Sequence, residues 1–201
     1  MLRYTIFDTP IMRTFSYLIG IAWLKAFGWH VEGVRPDAKK YVLLAVPHTS
    51  NWDFTFTLAI MFATRNKAYW MGKKEMFLPG FGLFFRWLGG IPVDRSRAHK
   101  IATQTIRLLR EEDEFVITIP PEGTRKAVTE WKRGFYLIAR GADVPIVLGF
   151  LDYARKCGGY GPAIKPSGDV DADMARIKEF YADKAGRYVA NTSPVQETAD
   201  N

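Results

Sequence analysis

With 201 residues, 48% of them apolar and 24% charged, the chain is long enough to bury a core and has the composition of one folded domain, which excludes a disordered or fibrous protein. A single cysteine, Cys157, excludes an internal disulfide and a cysteine-built metal cage, and suits a reducing compartment. Lys and Arg outnumber Asp and Glu by 28 to 21, so the +7 chain favours anionic partners: nucleic acid, anionic lipid or an acidic carrier protein.

The first predicted element lies in PIMRTFSYLIGIAWLKAFGWHV, from Pro10 to Val31, whose apolar and aromatic stretch Phe15–Leu24 is bounded by Arg13 and Lys25. That pattern suits a helix lying in a membrane interface, and residues 1–30 are expected to form such an amphipathic segment. A packed helix and a signal peptide are the alternatives, the second lacking a small-x-small cleavage site after Lys25. No run of eighteen uncharged apolar residues occurs, so no transmembrane helix is expected.

Beyond this segment short apolar runs alternate with helical patterns, which predicts one α/β domain over residues 1–201 with a mostly parallel central sheet flanked by helices. Tyr41–Val46 reads as a buried strand and Asp53–Thr64 as the helix after it. Ala68–Met71 and Ile91–Val93 are short strands; between them Phe77–Leu88 mixes helix and loop, interrupted by Pro79, Gly80 and Gly82. Its aromatic residues either line a groove, dip into lipid or simply pack. Ala98–Glu111 is a helix, and Phe115–Ile119, β-branched and stopped by two prolines, is a strand. Gly134–Arg140 reads as a helix, Val144–Leu151 as a third long strand and Asp171–Arg187 as a final helix; the polar residues 190–201 are expected to fray.

Three stretches carry candidate chemistry. In VPHTSNWDF, His48 leaves the end of a strand, where open α/β folds place their ligands, and Asp53 follows five residues later. On a continuous helix the two would sit about 140° apart, so a direct bond between them requires a turn. Thr49, Ser50 and Asn51 suit such a turn, but Ser50 and Asp53 also match a capping box, and Asp53 can be only a cap. In PPEGTR, directly after the FVITI strand, Gly123 admits a tight turn, Thr124 brings a hydroxyl and Arg125 a fork for phosphate; Glu122 either steadies an arginine or accepts a substrate hydroxyl. In GGIPVDR, two glycines admit close backbone approach before Asp94 and Arg95. For the second and third stretches, a plain surface turn with an ion pair is the alternative reading.

Taken together and in order, these motifs resemble the glycerolipid acyltransferases typified by bacterial 1-acylglycerol-3-phosphate acyltransferase. His48 and Asp53 match the family's H-x4-D motif; GKKEM from Gly72 to Met76 is similar to its K-x-E-L segment; GGIPVDR matches its G-x-x-x-x-D-R block; EGTR is intact; and KRG followed by Val144-Pro145-Ile146 resembles its last motif. Pro120 and Trp131 stand where the family commonly has Phe, and the middle of HTSNWD differs from the best-known members. The resemblance implies transfer of a fatty acyl group from acyl-CoA or an acyl carrier protein to a hydroxyl of a glycerol-phosphate-type lysolipid, in phospholipid biosynthesis. It implies His48 as general base oriented by Asp53, with Arg95, Glu122, Gly123, Thr124, Arg125 and the weaker candidate Lys73 binding substrate. It also implies a peripheral enzyme on an anionic membrane at its cytoplasmic face.

No cofactor beyond the thioester co-substrate is expected. No metal is expected either, because His30 and His99 match no motif and no H-E-x-x-H or His/Cys cluster occurs. Another lipid or glycolipid acceptor on the same fold is the nearest alternative. A non-catalytic basic module binding anionic lipid is the more distant one, and no recognised nucleic-acid motif is present.

Overall fold

The computed structural model describes residues 4–94 and 98–193. Seven strands form one sheet: β1 (His30–Glu32), β2 (Lys40–Leu44), β3 (Tyr69–Lys73), β4 (Gly90–Val93), β5 (Phe115–Ile119), β6 (Ile146–Asp152) and β7 (Cys157–Ile164), in the order β1-β7-β6-β2-β5-β3-β4. Every pairing is parallel except β6 with β7. Among the described residues six α-helices accompany the sheet: α1 (Pro10–Ala26), α2 (Trp52–Ala63), α3 (Gly82–Trp87), α4 (Ala98–Glu111), α5 (Gly134–Ala142) and α6 (Val170–Tyr181).

The period-two alternation of the central strands divides the core into two layers. Tyr41, Leu43, Val116 and Val147 face one way, onto Leu24 of α1 and Phe56, Ala59 and Ile60 of α2. Val42, Leu44, Ile117 and Leu148 face the other way, onto Phe135 and Ile138 of α5 and Met174 and Ile177 of α6. Strands buried on both faces read as continuous apolar runs, which is why FVITI and the runs on either side of the site were legible as strands.

Two strands escaped the sequence reading. β1 is only three residues long, and β7, CGGYGPAI, has a loop's composition. It pairs because a tight turn returns it antiparallel along β6, and because its glycines admit close neighbours: a Cβ on Gly159 would lie 1.9 Å from the Glu32 carbonyl oxygen. Pro162 falls where the β6–β7 register shifts between Val147 and Gly149, so its missing N–H interrupts no regular ladder.

α1 both packs and exposes apolar surface. Ser16, Gly20 and Leu24 form its buried seam, and a Cβ on Gly20 would lie 2.6 Å from the Ala59 carbonyl oxygen, so this glycine sets how closely α1 and α2 approach. Ile11, Phe15, Leu18 and Ile19 are exposed on the same helix. The aromatic run after β3 divides in the same way: Phe77 and Phe85 pack on Trp70, whereas Leu78, Phe81 and Leu83 face outward. No described helix is long and apolar enough to cross a membrane.

Residues expected to fray from Ala190 are held further than that. Val189–Asn191 form a 3-10 turn and Ser193 is buried, its hydroxyl accepting the Val128 amide at 3.2 Å, because the segment folds back over the loops that follow β2 and β5. Residues 194–201 lie outside the described chain.

Candidate active site

β2 and β5 are neighbours in register, Leu44 opposite Ile119, so the loops leaving their carboxyl ends, HTSNWD and PPEGTR, emerge side by side. The first loop is a turn, as the spacing demanded. His48 Nδ1 lies 3.3 Å from Asp53 Oδ2, with the histidine side chain partly exposed and the aspartate nearly fully buried.

The cap and the pair coexist in the same turn. Asp53 Oδ2 accepts the amides of Thr49 at 2.6 Å and Ser50 at 2.8 Å, while Ser50 Oγ accepts the Trp52 amide at 2.9 Å. Asp53 therefore reaches back across the first turn of α2, and that reach is what carries its carboxylate beside the imidazole. Two amide bonds to one oxygen stabilise a carboxylate charge at this position.

Glu122, expected to contact substrate, has a side chain 2% exposed; its Oε2 accepts the His48 backbone amide at 2.9 Å, so it braces the histidine loop, and it is not among the residues that line the cavity. The reason is the tight turn of the loop: Gly123, at φ +67°, donates its amide to the Pro120 carbonyl and folds the preceding residue inward. Burial, with Asp53 nearby, pushes the Glu122 carboxyl up to about 7, against the lowering effect of the His48 amide and the Ser193 hydroxyl.

Gly123, Thr124 and Arg125 do line the cavity, as does Lys73 from the end of β3; Arg125 and Lys73 are both exposed at its mouth. Arg95 lies outside the described residues. The cavity measures about 330 Å³ and runs from His48 into an apolar interior formed by Phe54, Leu58 and Met61 of α2 together with Trp70, Met76 and Phe85. Thr118, whose buried hydroxyl has no hydrogen-bond partner among the described residues, also lines it. A polar, cationic mouth leading past a histidine–carboxylate pair into an apolar interior suits a ligand with an anionic head and a hydrocarbon tail.

Two further groups were beyond sequence reasoning. Tyr153, in the turn between β6 and β7, donates its hydroxyl to Asp53 Oδ1 at 2.7 Å across 100 residues of chain. The C-terminal segment also closes on the histidine loop: the Tyr188 amide donates to Thr49 Oγ1 at 3.4 Å, and the Arg187 guanidinium lies 4.9 Å over the Trp52 ring. Neither contact carries a local spacing signal.

His30 bonds Glu32, two residues along the same strand, and the β1–β7 pairing brings Arg155 and Cys157 to that carboxylate. The Arg155 guanidinium and the Glu32 carboxylate form an ion pair at the sheet edge. Burial pushes the Cys157 thiol up to about 11, which keeps it a protonated, unreactive thiol.

The sequence matches the family described as Acyltransferase over residues 28–147. A search of curated proteins finds no match. Among solved structures the fold is similar to the crystal structure of the 1-acyl-sn-glycerophosphate (LPA) acyltransferase PlsC from Thermotoga maritima, with a TM-score of 0.58 and 18% identity over 87% of this chain and 82% of that one. At that identity the likeness is one of fold.

Proposed function

The chain belongs to the acyltransferase family, and from that premise we propose that it moves a fatty acyl group from acyl-CoA or acyl carrier protein to a hydroxyl of a glycerol-phosphate-type lysolipid such as 1-acylglycerol-3-phosphate. The observation that carries this reading is His48, paired through Nδ1 with Asp53 at the junction of a cationic mouth and an apolar cavity.

With Nδ1 turned to the carboxylate, the proton of the neutral ring resides there and Nε2 is the basic nitrogen. It takes the proton of the acceptor hydroxyl as that oxygen attacks the thioester carbonyl carbon. Asp53 stabilises the imidazolium formed, and the imidazolium returns the proton to the departing thiolate as the C–S bond breaks. No acyl-enzyme is required, and the reaction balances with the thioester as its one co-substrate. Phe54, Leu58, Met61 and Trp70 take the hydrocarbon, whose burial contributes about 0.8 kcal/mol per methylene. Arg125, Lys73 and Arg95 hold the acceptor phosphate. The exposed apolar residues of α1 and of the Leu78–Phe84 stretch, on a chain of +7, seat it peripherally on an anionic membrane.

The test incubates the protein and His48→Ala with acyl-CoA or acyl carrier protein thioesters and a panel of acceptors, with and without phosphate, following thiol release and product mass. Transfer that vanishes in His48→Ala supports the reading; equal rates in the two proteins overturn the assignment of the base. A preference for unphosphorylated or glycolipid acceptors would keep the reaction and replace the acceptor.

A further inference from the structure

The two oxygens of Asp53 are held very differently. Oδ2 receives the Thr49 and Ser50 amides and faces the imidazole, all from the residue's own turn. Oδ1 receives the Tyr153 hydroxyl at 2.7 Å, from the turn between β6 and β7 on the α2 side of the sheet. Rotation of the carboxylate about its last torsion, a soft, broad degree of freedom in Asp, is opposed by the two amides at Oδ2 and, at the other oxygen, by the Tyr153 hydroxyl.

Tyr153 is itself rigidly placed. Its ring meets Trp29 edge to face, centroids 4.8 Å apart, and Phe56 likewise at 5.8 Å. Its amide donates to the Ala185 carbonyl at 2.9 Å. The buried Asp152 before it accepts the amides of Ala154 and Arg155, which fixes the turn. Burial and the Asp53 charge push the phenol well above its ordinary range, so it remains a donor. Because Trp29 and Phe56 form the packing under α2, a ring without the hydroxyl would keep the same seat.

We propose that Tyr153 is a positioning residue for the reaction: its hydroxyl locks the Asp53 carboxylate so that Oδ2 stays directed at His48 Nδ1. This rests on the reading of His48 as the base. Tyr153 touches neither substrate nor the reacting atoms; it acts through Asp53, and it binds the β6–β7 turn to the function of the β2 loop.

Tyr153→Phe tests this in the full chain, beside the unchanged protein and His48→Ala. With a long-chain acyl-CoA and 1-acylglycerol-3-phosphate, kcat should fall roughly tenfold or more, as loss of a bond to a charged group implies, with KM for both substrates within about twofold of the starting value. A carboxylate released from the lock turns away from Nδ1, so the imidazolium loses its partner and the acidic limb of the kcat/KM profile should move to lower pH; a move to higher pH would report only the extra charge left on an unmoved carboxylate and would overturn the lock. Among the described residues the other charged and titratable groups around the pair are Glu122, Arg187 and Tyr188 beside Tyr153, and Lys73 and Arg125 across the cavity, and all are unchanged in this variant. The same displacement can be read without turnover from the His48 Cε1 proton resonance, identified by its loss in His48→Ala. Unchanged kcat, or a fall with no displacement of either the profile or the resonance, overturns the proposal. If the unchanged protein transfers no acyl group, the functional reading fails by itself, and the resonance still decides whether Tyr153 governs the pair.

Discussion

The buried carboxylate of Glu122 accepts the backbone amide of His48 at 2.9 Å, joining the loop after β5 to the loop after β2 through a bond that involves no substrate. A residue expected to contact substrate thus anchors the backbone of the histidine loop. Replacing Glu122 with Ala leaves that amide without its partner, at a cost of about 1–3 kcal/mol, and lets the histidine loop drift. Thermal melts and acyl-transfer rates should fall together, whereas Glu122→Gln, which retains a carbonyl acceptor, should recover most of both.

The same carboxyl sets a pH dependence. Its folded value of about 7 lies above its ordinary 4.5, so between those limits the folded chain binds more protons than the unfolded one. The stability it contributes is fully present below about pH 4.5 and is lost as pH rises through about 7, by on the order of 3 kcal/mol. Denaturant midpoints measured across this window should decline with rising pH and flatten in Glu122→Gln. Equal slopes in both proteins would assign the decline to other groups.

Asp53→Asn should be the most damaging conservative change in the site. An amide nitrogen at the Oδ2 position would face the Thr49 and Ser50 amides, donor against donor, and the alternative orientation would turn it toward the Tyr153 hydroxyl. The acyl-transfer rate should drop by roughly a hundredfold to ten-thousandfold. Circular dichroism should show the fold retained, since the core layers do not depend on this residue.

Charge reversal at Arg125 should act on binding. Arg125→Glu places a carboxylate at the mouth of the cavity, and KM for phosphate-bearing acceptors should rise tenfold or more, on the order of one charged hydrogen bond. Acceptors without phosphate are the control. An equal change for both classes would remove the phosphate assignment.

Membrane seating is tested on residues that bury nothing in the fold. Replacing exposed Ile11, Phe15 and Leu18 with Ser should leave the melting temperature nearly unchanged and reduce flotation with anionic vesicles. Gly20→Ala makes a contrasting variant: a Cβ there meets the Ala59 carbonyl oxygen at 2.6 Å and Phe62 Cβ at 2.8 Å, so stability should fall by about 1–3 kcal/mol despite the better helix former.

By itself the sequence determined what depends on near neighbours. The β-branched run Phe115–Ile119 and the amphipathic Ala98–Glu111 declared themselves with their observed ends, because strand and helix periodicity is written within a few residues. The turn that brings Asp53 back to His48 was readable too, since the residues that cap α2 also set that spacing. Tertiary structure alone decided the rest. β7 became a strand through its pairing with β6 and β1 against its own composition. Glu122 turned inward because Gly123 folds the loop, and Tyr153 reached Asp53 from the β6–β7 turn, 100 residues away in sequence. Ser193, read as part of a frayed tail, packs beneath the loop after β5. Each of these is a contact between residues far apart in the chain, whose stability comes from burial and partners that no local spacing encodes.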